Sequence, residues 1–290
     1  GPLGRHKQLR IMTKLTIGMA CYNDYNGVYF SVQSLQMHHS EIMNQSEIIV
    51  VDNNPDSPDG KAVKEFLNNW VGNSRYIPYL GTTGTAMPRN VIFEEARGEY
   101  VLCMDSHVLV ESGAARKLID FYDSGLDGGN LLQGPMLYDD LKGYASHMDP
   151  VWRSEMYGVW GTDDRARSPN SIPFEIEMHG LGLFSCRKSE WLGFNEEFEG
   201  FGGEEGYIHE KFRRANKKTL CLPFLRWLHR FGRPRGVEYP LTIEAKLRNY
   251  LIGAIELGQD LTPILNHFKP LIPAENVARL LEQFGVTEKI

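Results

Sequence analysis

The chain has 290 residues, 42% of them hydrophobic, and a formal net charge of −6. That apolar content can bury a full core, and the length suits one large α/β domain with additions better than two independent domains. No stretch approaches the roughly 20 uninterrupted apolar residues needed to cross a bilayer, and there is no apolar signal core, so the reading is a soluble globular protein.

The opening Gly1-Pro2-Leu3-Gly4 has the look of a protease scar, and residues 1–11 are set aside as tag or linker. From there, short β-rich runs alternate with amphipathic segments of helix length, the pattern of a parallel sheet wound with helices. Residues 15–20 read as the first strand, 28–38 as a helix and 47–51 as the second strand. A helix over 61–70, a short strand over 75–77, a helix over 86–96 and a strongly apolar strand over 100–104 follow. Residues 143–170 hold Trp152, Trp160, Gly158 and Gly161 among many charges without clear periodicity, and read as a long loop that closes over a ligand. Beyond Pro240 the pattern turns helical, with a break at residues 260–263 and a final ENVARLLEQFG, which suggests a helical extension packed on the core.

Each early strand runs into polar residues: Cys21-Tyr22-Asn23, Asp52-Asn53-Asn54 and Asp105-Ser106-His107. In open α/β sheets ligands bind beyond the carboxyl ends of the strands, so the three clusters share one rim. Residues two apart in an extended segment project to the same side, which lets Asp105 and His107 meet one cation. A carboxylate with an imidazole suits Mn²⁺ or a similar ion better than Ca²⁺, which favours all-oxygen shells. On spacing alone, an Asp after a strand is more often a cap or turn former, and the metal reading is the minority one.

The four cysteines, Cys21, Cys103, Cys186 and Cys221, are far apart and mostly sit in apolar runs. They read as buried thiols of a reducing compartment, hence a cytoplasmic protein. Nine Lys or Arg and no Asp or Glu fall between residues 211 and 235. Such a run suits an anionic ligand, and equally a solvated basic face.

In order, TIGMACYND, IIVVDNN and MPRNVIFEEARGEYVLCMDSH resemble the nucleotide-sugar-binding half of GT-A fold glycosyltransferases, especially family 2 enzymes and the polypeptide N-acetylgalactosaminyltransferases. In those families the triplet ending the strand is usually Asp-x-Asp or Asp-x-His, and this chain has the second form. HGLGLFSCRKSEWLGFNEEFEGFGGEEGYIHEKFRRA is similar to their acceptor-side segment, a Gly-rich stretch followed by a Gly-Gly-Glu motif opening a helix. WLHRFGRP resembles the motif whose His completes the metal shell in the N-acetylgalactosaminyltransferases. The resemblance implies a Rossmann-like, mostly parallel central sheet flanked by helices over residues 12–238, with a nucleotide-binding half (12–110) and an acceptor half (111–238). The C-terminal helical extension then takes residues 239–290.

The resemblance also implies a reaction: transfer of a sugar from a nucleotide diphosphate sugar, a UDP-sugar, to an acceptor hydroxyl. Mn²⁺ or Mg²⁺ on the diphosphate would stabilise the charge that develops as the bond to the anomeric carbon breaks. Asp105, His107 and His229 are the implied ligands, with Asp105 and Ser106 also counted among the donor-binding residues. Arg89, in Pro88-Arg89-Asn90, matches the families' Arg, whose fork of donors suits a phosphate or uracil; the competing reading is an Arg in an ion pair. Asp52 falls where the nucleoside binds and could accept from uracil N3–H or a ribose hydroxyl, against a plain turn-forming role. Ala20, Tyr22 and Asn23 would form the opposite wall, with Tyr22 stacking on the base. His179 and Gly180 lie where backbone can approach a sugar ring, although His179 equally reads as structural.

Glu204 and Glu205 bear on mechanism. Inverting transfer needs a carboxylate base near the acceptor, and in inverting family 2 enzymes the second acid of this motif is usually the base, which points to Glu205. Two glutamates in a first helical turn also interact favourably with the helix N-terminus. The metal shell resembles the retaining group and the double acid the inverting one, so the stereochemistry stays open. The segment from Phe201 to Pro234 resembles phage-encoded members, and its basic residues would suit a phosphate backbone. A hydroxymethylated pyrimidine in phage DNA, modified in the host cytoplasm, is therefore the expected acceptor, with a glycan or other small hydroxyl compound as the alternative. The acidic net charge and the absence of a recognised DNA-reading motif weigh against DNA. A module that only binds nucleotide sugar would need no metal shell, and a metal-dependent hydrolase would need an open coordination position beside a base for water.

Overall fold

The computed structural model describes residues 12–234 and 242–286. The tag-like residues 1–11, Arg235 and the expected boundary at 238/239 lie outside the described residues. The first half folds as its apolar runs require: β1 (Leu15–Cys21), α1 (Tyr25–His38), β2 (Ser46–Asp52), α2 (Pro58–Trp70), β3 (Ser74–Pro78), α3 (Ala86–Glu95) and β4 (Tyr100–Asp105). Nearly every residue of β1, β2 and β4 is buried, because helices cover both faces of the sheet. Ser57 starts α2 by accepting a hydrogen bond from Gly60 N, with Pro58 in the first turn where its missing N–H costs nothing. Fully buried side chains such as Ile17, Ile49 and Leu102 each contribute about 1.5–3 kcal/mol.

The second half adds β5 (Val108–Val110), α4 (Ala114–Asp123), β6 (Leu131–Gln133), β7 (Met136–Leu137), β8 (Tyr144–Ala145), β9 (His147–Arg153), β10 (Met156–Gly161), β11 (Phe174–Glu175), β12 (Leu183–Arg187), α5 (Glu204–Arg214), β13 (Thr219–Cys221) and β14 (Trp227–His229). The main sheet has the order β11-β13-β6-β12-β4-β1-β2-β3. Strands β3, β2, β1 and β4 run parallel, and β12 joins β4 antiparallel. A smaller sheet has the order β5-β14-β7-β8. All four cysteines are buried and free, and no described helix is long and apolar enough to cross a membrane.

Residues 143–170 are not the irregular loop that the sequence suggests. They hold β8 and the antiparallel hairpin β9–β10, with a bulge between Tyr157 and Val159. One side of the hairpin faces a cavity with Met148, Met156 and Trp160. Its other side packs Trp152 against Tyr250, His267 and Phe268. Apolar residues on both faces, together with the bulge, erase the alternation by which a strand is read.

The helical extension is α6 (Ile243–Glu256), α7 (Thr262–Phe268) and α8 (Ala274–Gln283). The expected break at 260–263 is the start of α7, with Pro263 in its first turn. On α6, Asn249 is buried, and its amide donates to the carbonyls of Glu199 (2.6 Å) and Gly202 (3.0 Å) while accepting from Glu199 N at 3.1 Å. The extension therefore holds the glycine-rich loop that leads into α5.

Candidate active site

Asp105 is the last residue of β4, and the chain turns through Ser106 and His107 into β5. Strand β14 lies antiparallel to β5 with His229 opposite Val108, so the register sets His229 beside His107 across 122 positions of sequence. Asp105 Oδ2 stands 3.1 Å from His229 Nε2 and 3.6 Å from His107 Nε2, and the two Nε2 atoms are 3.1 Å apart. All three ligand atoms lie within 4.8 Å of one another. Two imidazole nitrogens and a carboxylate oxygen facing one point are only partly satisfied by hydrogen bonds, while one divalent ion satisfies all three. The buried Nδ1 of His229 has no partner among the described residues. Burial lowers the His229 pKa against the pull of Asp105, keeping the ring neutral as a ligand must be. Gly182 leaves the room: a Cβ there would stand 2.8 Å from the Trp227 ring and 2.9 Å from that of His229.

Asp24 supports this corner and was missed from the sequence. Its Oδ2 lies 3.1 Å from His107 Nδ1 and accepts from Ser106 Oγ at 2.5 Å. The carboxylate behind the ring holds the Nδ1 proton and leaves the Nε2 lone pair facing the ion position. Burial alone would raise the Asp24 pKa, but the hydrogen bonds from His107 and Ser106 prevail and hold it at about 2. The only sequence signal of Asp24 is its place before α1, and it does cap that helix as well, with Gly27 N donating to Oδ1 at 3.2 Å. Ser106, expected at the donor, turns its hydroxyl to Asp24 instead.

Arg89 is buried, and its Nη2 bonds Asp105 Oδ1 and the Leu181 carbonyl, each at 3.2 Å. The ion-pair reading of Arg89 is thus present in the structure, on the very carboxylate expected to bind metal. Burial would raise the Asp105 pKa; the His229 hydrogen bond and the Arg89 charge outweigh it and hold the carboxyl well below its usual range.

The two acids at the start of α5 differ. Gly203, with φ at 91°, turns the chain into the helix. Glu204 accepts from Thr85 Oγ1 and from Gly202 N, the latter at 3.0 Å, and so clasps the start of α3 to the glycine-rich loop. Glu205 makes no side-chain hydrogen bond among the described residues and faces the cavity. Burial, then the charge of Glu204, push its pKa well above the carboxylate range.

The cavity, about 300 Å³, gathers Ala20, Arg89, Asp105, His107, Gly180, Glu205 and His229 from the residues singled out by sequence. Tyr22, Asn23, Asp52, Ser106, His179 and Glu204 do not line it. The Asp52 carboxylate accepts from Asn54 N (2.9 Å) and Tyr76 Oη (2.6 Å), the turn-forming arrangement. Asn23 Oδ1 accepts from Asn54 Nδ2 at 2.8 Å, tying the ends of β1 and β2 together. His179 is fully buried with Nε2 2.9 Å from the Gly134 carbonyl, and burial pushes its pKa down to about 4. The basic run is largely neutralised: Lys211, Arg213, Arg214, Lys217, Lys218 and Arg226 all pair with carboxylates.

No curated protein sequence matches the chain significantly. Among solved structures, GalNAc-T7 with UDP, GalNAc and Mn²⁺ is similar at a TM-score of 0.66 and 14% identity, over 96% of this chain and 55% of that one. The chain thus spans about half the length of that relative. Residues 1–349 of S. aureus TarS in complex with UDP-GlcNAc are similar at 0.55 and 16%, over 94% of this chain and 80% of that one. Such identities show the shared GT-A fold. The family model for glycosyl transferase family 2 matches residues 16–186, more than half of the chain. The chain belongs to glycosyl transferase family 2.

Proposed function

We propose that the chain transfers a sugar from a UDP-sugar to an acceptor hydroxyl, with Mn²⁺ or Mg²⁺ held by Asp105, His107 and His229. The carrying observation is that the three ligand atoms converge within 4.8 Å at a cavity that also presents an unpaired, buried Glu205. The bound ion would offset the negative charge growing on the departing diphosphate. Arg89 and Asp24 orient Asp105 and His107. Glu205 takes the proton of the acceptor hydroxyl, and its raised pKa suits a base working near neutral pH. A base so placed is the requirement of inverting transfer, which this reading favours. Ala20 and Gly180 wall the donor, and Tyr22, Asn23 and Asp52 form the nucleoside side, where Asp52 acts by fixing the turn after β2. The UDP, GalNAc and Mn²⁺ of GalNAc-T7 and the UDP-GlcNAc of TarS support this donor chemistry.

For the acceptor, a small hydroxyl compound or glycan is better supported than a hydroxymethylated pyrimidine in DNA, because six members of the basic run already pair with carboxylates, which weakens the positive field a phosphate backbone would meet. The test is release of UDP from UDP-sugars. Slow, Mn²⁺-dependent release, abolished by Asp105→Ala, is expected; release indifferent to chelator overturns the metal-dependent reading. Labelled donor incubated with hydroxymethylated or plain DNA decides the DNA acceptor by the appearance of label in nucleosides.

A further inference from the structure

The cavity carries more positive charge than the donor reaction uses. Among the described residues, Arg89, Arg153, Arg230 and Arg233 line it against two carboxylates, Asp105 and Glu205. Arg89 is balanced by Asp105, and Arg233 turns its Nη2 to within 2.8 Å of His107 Nε2 at the metal corner. Two guanidiniums are left. Arg153, the last residue of β9, is exposed, and its side chain forms no hydrogen bond or ion pair among the described residues. The acid nearest it in sequence, Glu155, is held by Lys246 of α6 at 2.7 Å and does not neutralise it. Arg230 is exposed, and among the described residues its side chain reaches only the Gly232 carbonyl, at 3.2 Å. The same cavity has an apolar wall, with Met148, Met156, Trp160 and Phe231. A divalent ion and the donor diphosphate cancel each other's charge, so neither of the two exposed arginines is needed to balance the donor. Both line the same cavity as an apolar surface, and the fork of a guanidinium matches carboxylate and phosphate oxygens in pairs.

We infer that the acceptor carries a phosphate or carboxylate group, which Arg153 binds with help from Arg230 while its apolar portion lies against Trp160 and Phe231. The inference rests on the transfer reading for the cavity. It explains why the hairpin β9–β10 reaches over the site: it delivers a cation to the side where Glu205 meets the acceptor.

The experiment titrates the full chain, loaded with Mn²⁺ and UDP so that the donor half is filled, by isothermal calorimetry. The probes are ribose 5-phosphate and glucuronate, with ribose and glucose as neutral counterparts. At least one anion is expected to bind tenfold or more tighter than its neutral counterpart, with affinity falling as salt rises. Arg153→Gln is expected to weaken that binding at least tenfold and Arg153→Lys less, with the melting temperature confirming that both variants fold. The stronger of the two anions identifies the group recognised. No binding by either anion, equal binding of anions and neutral sugars, or unchanged binding by Arg153→Gln overturns the inference. Failure of UDP to load counts against the donor reading alone, because the same titration of the unloaded chain and its Arg153→Gln variant still decides the anion site.

Discussion

Asp24→Asn is the most informative single change, because it separates the two roles of that carboxylate. Asn caps a helix about as well as Asp, so the hydrogen bond from Gly27 N survives through the amide oxygen. The amide nitrogen then faces His107 Nδ1 and Ser106 Oγ, where Asp24 Oδ2 stood 3.1 and 2.5 Å away. A donor now confronts the Nδ1 proton, and the imidazole relieves the conflict by moving its proton to Nε2. That removes the lone pair from the ion position. Loss of a supporting carboxylate behind a ligating His costs about 10–100-fold in metal affinity, or about 1.4–2.8 kcal/mol, and the tautomer conflict puts this case at the upper end. Asp24→Ala loses the cap as well and gives up about 1 kcal/mol of stability. Mn²⁺ titration followed by electron paramagnetic resonance, beside thermal melts, reads both effects. Asn at this position should melt like the wild type yet bind Mn²⁺ far more weakly. A variant that binds Mn²⁺ within a factor of two of the wild type would refute the argument that Asp24 sets the His107 tautomer.

Glu205 as the base makes transfer fall on the acid side, as pH drops through its raised pKa and the carboxylate takes up a proton. Glu204→Gln removes the neighbouring charge that helps raise it, so the acid limb of the kcat/KM profile should move to lower pH; a limb that stays put, or full activity in Glu205→Gln, would count against the assignment. Gly182→Ala drives a methyl group to within 3 Å of the Trp227 and His229 rings, which must shift. Mn²⁺ binding should weaken at least tenfold, and binding as tight as in the wild type would show that the His229 position tolerates the intrusion.

How much of the fold and site is legible in the sequence depends on whether one segment alone carries the signal. Strands β1, β2 and β4 stand out because burial on both faces writes a continuous apolar run, and their polar ends mark the rim. Asp105 and His107 stand out as a candidate ligand pair by local spacing, which alone favours a cap or turn, and both they and His229 gain weight from the family resemblance, since only the β5–β14 register brings His229 near. Hairpin β9–β10 is hidden by its two apolar faces. Asp24 is hidden because a capping residue and a residue supporting a metal ligand look alike until the partner is placed. The run from residue 211 onward looks like one basic surface; Glu210, just ahead of it, pairs with Arg213 and Arg214, but Glu111, Glu175 and Glu190, which pair with Arg226, Lys218 and Lys217, are remote in sequence.

Asn249 gives the helical extension a meaning beyond packing. A buried amide that closes three hydrogen bonds to residues 199–202 pins that loop directly ahead of Glu204 and Glu205, and its withdrawal leaves the loop held by fewer fixed partners. Truncation near residue 240 would therefore not trim an ornament. It would free the hinge on which the proton acceptor is mounted while leaving the cation ligands in place, and a shortened protein should still hold Mn²⁺ long after it has lost the ability to hand over a sugar.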